Sequence, residues 1–322
     1  MYDVGIVGCG VIGSRLAESF TEHSDTTVAA ACDVDVERAE SFAADYDADP
    51  YTDHEAMLAE ADLDILYAGV PPVHHREIAE AGLDAGVHVI CEKPIAEDAA
   101  EGERLAAREA DTDLVTAVNL PFRYTPGFIE LRERVADGEI GTPKRVSLDF
   151  RFPRWPREWQ DVDWLRSREQ GGPIREVGTH FLFGVQEAFG GIDRVSAEVQ
   201  YAGPDACEES VVGWFETAGD DSVHGTIDLL CDHEQPEENA ITVTGSEGEL
   251  TLTEWFRLTA DPGTDDEEEL CADRESTTVT LVDEFVTELE GGDGDLVSFA
   301  EATAVQRVVD AIFDSEGDPV EV

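Results

Sequence analysis

The chain has 322 residues, with 74 acidic against 21 basic side chains, a net charge of −53, and 42% hydrophobic residues. That length exceeds one doubly wound domain and predicts two, and the apolar content excludes a disordered chain. The charge excludes nucleic acid and anionic membranes as partners, because both are bound through basic patches. A folded surface this acidic repels itself in dilute buffer and is screened at molar salt, so the sequence predicts a halophilic protein.

The N-terminus, MYDVGIVG, runs directly into a strand without a basic leader, and no apolar run reaches the length of a membrane span. These features predict a cytoplasmic protein. Through residue 120, short β-branched runs alternate with amphipathic helical stretches. Strands are expected near Val4–Val7, Thr27–Cys32, Ile65–Ala68, His88–Cys91 and Leu114–Val118, with helices such as Val11–Glu22 and Val36–Asp45 between them. This is the pattern of a parallel sheet with helical crossovers, a Rossmann domain over 1–120.

After Pro121 the texture changes. A helix is expected from about Thr125 to Asp137, then a glycine turn at Gly138–Gly141, a segment rich in arginine and tryptophan, and a helix near Val177–Phe189. Strands follow in quick succession at Val195–Tyr201, Val211–Glu216, Val223–Leu230, Ala240–Thr244 and Glu249–Leu252. Asp261–Glu269 reads as a solvated acidic loop, and a last helix covers Leu296–Phe313. The expected fold class is therefore α/β: the Rossmann domain plus an α+β domain over 121–322 with an open, mainly antiparallel sheet.

Gly8-Cys9-Gly10-Val11-Ile12-Gly13 follows the first strand and opens a helix, the context that makes a glycine pattern a dinucleotide site. Gly8 permits the tight turn, Gly10 lets the backbone approach a pyrophosphate, and Gly13 allows close helix–strand contact. The helix N-terminus, at Val11 and Ile12, faces the phosphate charge. Asp33 lies at the end of the second strand, where a carboxylate accepts hydrogen bonds from the ribose hydroxyls and repels a 2′-phosphate. NAD is thus favoured, and Arg38 nearby keeps NADP open.

The sequence has two lysines, Lys93 and Lys144, against 19 arginines. Lys93 stands in Cys91-Glu92-Lys93-Pro94, just beyond a strand at the C-terminal edge of the sheet, where ligands of open α/β sheets bind. A lysine there can exchange a proton and an arginine cannot, which makes Lys93 the candidate acid/base. Six scattered cysteines without a CxxC pair give neither a zinc site nor a disulfide scaffold, so no metal is expected. Arg151–Arg175 contains six arginines and three of the five tryptophans. It is read either as a carbohydrate-binding wall able to hold an anionic group or as arginines paired with surface carboxylates.

Read together, VGIVGCGVIG, ACDVDVERAE, GVPPVHHREIAEAGLDAGVHVICEKPIAED, FRYTPGF, DGEIGTPKRV and GGPIREVGTHF resemble the glucose-fructose oxidoreductase / inositol dehydrogenase / MocA family over nearly the whole length. The resemblance implies that Pro71 and His75 lie along the cofactor, with Glu92 on its nicotinamide side and Lys93 between nicotinamide and substrate. It implies that His180 and, four residues before it, Glu176 complete the catalytic set; the family usually has aspartate at the position of Glu176. Arg123, Trp164, Arg166 and His180 would contact substrate, and the open sheet would form dimer or tetramer contacts. The implied activity is hydride transfer between NAD(P) and a sugar, polyol or related compound. Two alternatives share the fold: a cofactor-binding regulator without catalysis, and glycosidic-bond cleavage through transient oxidation.

Overall fold

The computed structural model describes residues 1–160 and 162–322; Asp161, inside the Arg151–Arg175 segment, lies outside the described residues. The chain forms two compact units, one of residues 1–121 and 276–303, the other of residues 122–275 and 304–322.

In the first unit β1 (Tyr2–Val7), α1 (Val11–Glu22), β2 (Thr26–Cys32), α2 (Val36–Tyr46), β3 (Asp49–Tyr51), α3 (His54–Glu60), β4 (Ile65–Ala68), α4 (His75–Asp84), β5 (His88–Cys91), α5 (Ala99–Ala110) and β6 (Thr116–Val118) follow one another. Among the described residues the strands form one sheet in the order β3-β2-β1-β4-β5-β6, and each neighbouring pair is parallel. All of β4 is buried, as is β5 apart from half-buried His88, because helices cover both faces of such a sheet. Helix starts are set by short acids: Asp35 accepts from the amides of Glu37 and Arg38 at the start of α2, and Asp98 from Glu101 at the start of α5. Strand order reverses on either side of β1, so the crevice beyond the ends of β1 and β4 is the topological switch point.

The second unit begins with α6 (Pro126–Ala136) and β7 (Pro143–Phe152). A π-helical turn, Ile174–Gly178, then leads into α7 (Thr179–Phe189). Next come β8 (Ile192–Tyr201), β9 (Glu208–Thr217), β10 (His224–Cys231), β11 (Glu238–Gly245), β12 (Glu249–Thr253), β13 (Arg257–Ala260) and β14 (Glu268–Cys271). The chain ends with α8 (Thr277–Leu289), α9 (Phe299–Asp314) and β15 (Val320–Glu321). The second sheet has the order β14-β13-β12-β11-β7-β10-β9-β8-β15 among the described residues. Its pairs are antiparallel except β7 with β10. Along β7 the buried residues Val146, Leu148, Phe150 and Phe152 alternate with half-buried Ser147, Asp149 and Arg151, the period-2 signature of a sheet covered on one face.

Several expectations need correction. The division near residue 120 appears at Pro121, but 121–322 is not one unit, since Ser276–Thr303 belongs to the first. There Thr278 receives a hydrogen bond from Ser19 of α1 at 2.8 Å, and the Val297 carbonyl accepts from the Val118 amide at 2.8 Å. The expected acidic loop is partly strand, because Glu268 and Glu269 pair with β13. The helix expected from Val177 is α-helical only from Thr179, and Glu176 lies in the π-helical turn before it. Among the described residues no helix is long and apolar enough to cross a membrane.

Candidate active site

The glycine loop lies at the switch point. Gly8 has φ of +100°, and a Cβ there would fall 2.1 Å from the Gly69 carbonyl oxygen. A Cβ on Gly13 would fall 2.0 Å from the Gly8 carbonyl oxygen. Side chains at these two positions are excluded by backbone. Gly10 differs: its Cβ would meet nothing within 4 Å, and as N-cap of α1 it leaves the helix without a side-chain cap. Val11 and Ile12, the first residues of α1, are 54% exposed and half-buried respectively. An open backbone at an uncapped helix N-terminus is suited to phosphate, which the amide groups and helix dipole both favour.

Asp33 is buried and ties this loop to the end of β2. Its Oδ2 accepts from the Cys9 amide at 3.1 Å and from Arg38 Nη1 at 3.5 Å, and its Oδ1 accepts from the Asp35 amide at 3.0 Å. The Arg38 side chain is 54% exposed, so the ion pair is open to solvent on one side. Burial and the neighbouring Asp33 carboxylate push the Cys9 thiol up to about 12, so it stays protonated and serves as packing.

At the far side of β4 the backbone ladder continues past the strand ends: the Glu92 amide donates to the Ala68 carbonyl and the Asn119 amide to the Cys91 carbonyl. This places Glu92 inside the unit and Lys93, half-buried, at its edge. Glu92 Oε1 accepts from Tyr67 Oη at 2.8 Å and from Asn119 Nδ2 at 2.6 Å, and Oε2 accepts from the Lys93 amide at 3.2 Å. Burial raises the Glu92 pKa, opposed by the Lys93 charge and by these donors. The same burial and carboxylate push the Tyr67 phenol well above its ordinary range.

His75, expected along the cofactor, is instead fully buried and presents no surface to a ligand. Its Nε2 lies 2.7 Å from the Val70 carbonyl oxygen and its Nδ1 2.9 Å from that of Pro94. Burial pulls its pKa down to about 4, so at neutral pH the ring is neutral and donates to one of the two carbonyls. It ties the loop bearing half-buried Pro71 to the loop bearing Lys93, a positioning task.

In the second unit Glu176 Oε1 accepts from buried Gln160 Nε2 at 3.1 Å. His180 is buried, with Trp255 edge-on at 5.3 Å between ring centroids and Phe122 at 6.2 Å. The turn carrying Glu176 is held from below by Glu208, whose Oε1 accepts from the Ile174 amide at 2.8 Å. Burial pushes the Glu208 carboxyl up to about 7.

The cations expected to meet substrate are largely engaged within the unit. Arg123 lies 3.5 Å from Glu187 and 5.5 Å from the Phe183 ring centre. Arg151 pairs with Asp228 and Arg157 with Glu237, both at 2.9 Å. Arg166, exposed, donates to the Trp155 carbonyl at 3.0 Å, while Trp164 is half-buried in a 3-10 turn beside it.

Tyr67, Asn119, Gln160, Glu208 and Trp255 were not singled out from sequence. Glu208 has a traceable reason: the register between β8 and β9 shifts so that Tyr201 faces Glu208 and Gln200 faces Ser210. The extra residue, Glu209, turns Glu208 inward against simple alternation. Trp255 left a faint signal, since the turn between two strands there holds Glu-Trp where glycine or asparagine is usual.

Comparison with known proteins agrees with this architecture. The profile of an "Oxidoreductase family, NAD-binding Rossmann fold" matches residues 2–120, and that of the "GFO/IDH/MocA C-terminal domain" matches residues 128–251. A dTDP-3,4-didehydro-2,6-dideoxy-alpha-D-glucose 3-reductase of Streptomyces violaceoruber is 28% identical over 77% of this chain and 72% of its own. A D-xylose 1-dehydrogenase (NADP(+)) of Haloferax volcanii is 26% identical over 97% of this chain and 96% of its own. The fold matches that of an oxidoreductase from Thermotoga maritima with a TM-score of 0.88, at 22% identity over 99% and 98% of the two chains. It also matches the WlbA dehydrogenase of Bordetella pertussis, in complex with NADH and UDP-GlcNAcA, with a TM-score of 0.86 at 21% identity. With both halves matched in order and the glycine loop and Glu92-Lys93-Pro94 in place, the chain belongs to the GFO/IDH/MocA family of NAD-binding oxidoreductases.

Proposed function

We propose that the protein is an NAD(P)-dependent dehydrogenase or reductase acting on a CH–OH group of a sugar, polyol or sugar-derived compound. The observation that carries this reading is Lys93. It is half-buried at the C-terminal edge of the sheet, its loop fixed by the Glu92 network on one side and by the His75 bridge on the other. Two independent anchors on one lysine loop suit a group that must meet a reacting hydroxyl at a fixed distance.

The bound nicotinamide supplies the hydride acceptor or donor. The open backbone at Gly10, Val11 and Ile12 would hold its pyrophosphate, and Asp33 its adenosine ribose. In the oxidising direction Lys93 would take the hydroxyl proton while the carbinol carbon gives up hydride to the nicotinamide and becomes a carbonyl; reduction would return both. Within the second unit we assign His180 to substrate contact, and Glu176 to holding that helix end through Gln160. Trp164 and Arg166 remain assigned to the substrate wall. NAD is favoured by the buried carboxylate of Asp33, and Arg38 beside it gives NADP a cation to meet. The pairing of Arg123, Arg151 and Arg157 with carboxylates of the same unit supports a neutral polyhydroxyl substrate over an anionic one.

We further assign the protein to the cytoplasm of a salt-accumulating cell, where the net charge of −53 is screened. The uncovered face of the second sheet, with Val212 59% exposed, fits association into a homodimer or tetramer.

The test is absorbance at 340 nm in about 2–3 M KCl, a range that screens surface charge almost fully. NAD and NADP are supplied separately with aldoses, polyols, sugar acids and sugar phosphates, comparing wild type with Lys93→Arg. Turnover by wild type and none by the variant supports the reading. Cofactor binding by both without turnover on any compound favours a regulator, and product formation without net NADH favours transient oxidation.

A further inference from the structure

The turn joining β12 to β13 is built against local preference. Its central residues, Glu254 and Trp255, both have positive φ, +52° and +73°, and the Phe256 amide closes it onto the Thr253 carbonyl at 3.2 Å. Glycine and asparagine occupy such turns without strain, whereas each bulky side chain in the left-handed region is disfavoured. The sequence nevertheless places its largest side chain there.

That side chain reaches His180. The indole is edge-on to the imidazole at 5.3 Å with an interplanar angle of 83°, and packs on Phe181 at 5.3 Å. The Arg157 guanidinium, tied to Glu237, lies 5.9 Å from it. Trp255 is only half-buried, and its remaining surface borders an open depression of about 830 Å³ in the second unit.

The depression holds polar groups without partners. Asn239 is 4% exposed; its Nδ2 donates to Glu237 at 2.8 Å, while its Oδ1 has no partner among the described residues. His233 Nε2 is likewise buried without one, its Nδ1 accepting from the Gln235 amide. A buried polar atom without a partner is costly, which points to a ligand that supplies one. Carboxylates of Glu237, Glu238 and Glu254 outnumber the lining cations Arg151 and Arg274, so the rim repels anions.

We propose that this depression is a carbohydrate subsite, with Trp255 as the stacking platform for a neutral sugar ring and Asn239 and His233 as hydroxyl partners. Aromatic surface beside a few fixed polar groups matches a sugar ring, which is apolar on its C–H faces and hydrogen-bonding at its rim. This inference rests on the reading of the protein as acting on a sugar and makes Trp255 a specificity-determining residue next to His180.

The experiment is calorimetric titration of the full chain in about 2 M KCl, a salt level that screens its surface charge, with D-glucose, D-xylose, cellobiose, D-glucuronate and glucose 6-phosphate. It is paired with steady-state kinetics on whichever of them is turned over. Trp255→Ala is expected to weaken neutral-sugar binding at least tenfold and to raise KM with kcat nearly unchanged. Trp255→Phe, which keeps a stacking ring, is expected to stay within about threefold, and Asn239→Ala to weaken binding without loss of thermal stability. Affinity within twofold of wild type in a folded Trp255→Ala protein overturns the subsite, as does tighter binding of the anionic sugars or binding of none of the five. Trp255-dependent binding without any turnover leaves the subsite standing and removes the dehydrogenase reading. Lys93-dependent turnover with KM indifferent to Trp255 does the reverse.

Discussion

The Tyr67 hydroxyl donates to Glu92 at 2.8 Å, between two side chains that are both buried, one residue away from the candidate acid/base Lys93. A carboxylate buried at such a depth is sustained by its donors, and Tyr67 and Asn119 are the two that reach it from neighbouring strand ends. Removing either shifts the carboxyl toward its neutral form, and with it the hold on the Lys93 amide.

Tyr67→Phe deletes one donor and leaves the ring in place. The variant is expected to lose about 1–3 kcal/mol of stability in denaturant titration. Because the donor lowers the Glu92 pKa, its loss raises it, so the acid limb of the pH profile of kcat/KM should move to higher pH. An unmoved limb would show that the ionised form of Glu92 plays no part.

Glu208 and His75 oppose each other as pH changes. The folded-state pKa of Glu208 is raised from 4.5 to about 7, so between these values the folded chain holds the proton more tightly than the unfolded one and stability falls as pH rises. His75 is lowered from 6.5 to about 4, so its neutral ring contributes stability present above 6.5 and lost as pH falls toward 4. Glu208→Gln keeps an acceptor for the Ile174 amide and removes the charge. It is expected to be more stable than wild type at pH 8 by up to about 3 kcal/mol, with the difference vanishing near pH 4. Chemical denaturation of both proteins at a series of pH values checks this; equal stability at pH 8 would refute it.

Gly10 and Gly13 separate binding from folding. With open space at Gly10, Gly10→Ala should fold with a nearly unchanged melting temperature yet bind NAD at least tenfold more weakly, since the methyl group occupies the approach to the pyrophosphate. Gly13→Ala sets a Cβ 2.0 Å from the Gly8 carbonyl oxygen, so it should destabilise the unit itself. Thermal melts alongside NADH fluorescence titrations distinguish the two.

Cofactor choice is expected to turn on the Asp33–Arg38 pair. Asp33→Ser removes the carboxylate that repels a 2′-phosphate and leaves Arg38 with Asp35 as its remaining carboxylate neighbour, raising the ratio of kcat/KM for NADP over NAD at least tenfold. Adding Arg38→Ala should cancel most of that gain. A ratio unaffected by either change would move cofactor selection elsewhere.

Much of the first unit was legible because its signals are local. A glycine loop after a strand, a carboxylate at the end of the next strand and a lysine beyond the fifth are fixed by positions along the chain, and a parallel sheet places the ends of neighbouring strands side by side. What sequence alone determined was therefore the fold class and the places of the glycine loop, Asp33 and Lys93 at the ends of the strands. The tertiary structure decided which side chains support them. His75 read as a cofactor neighbour and proved to be a buried bridge, because its environment comes from the carbonyls of Val70 and Pro94, which periodicity does not show. Glu208 faces inward only because of the extra residue at Glu209, and Trp255 meets His180 only across a strained turn. The return of Ser276–Thr303 to the first unit is likewise a long-range contact. Spacing along the chain specifies strands, helices and loops, whereas burial and partnership depend on what folding brings alongside.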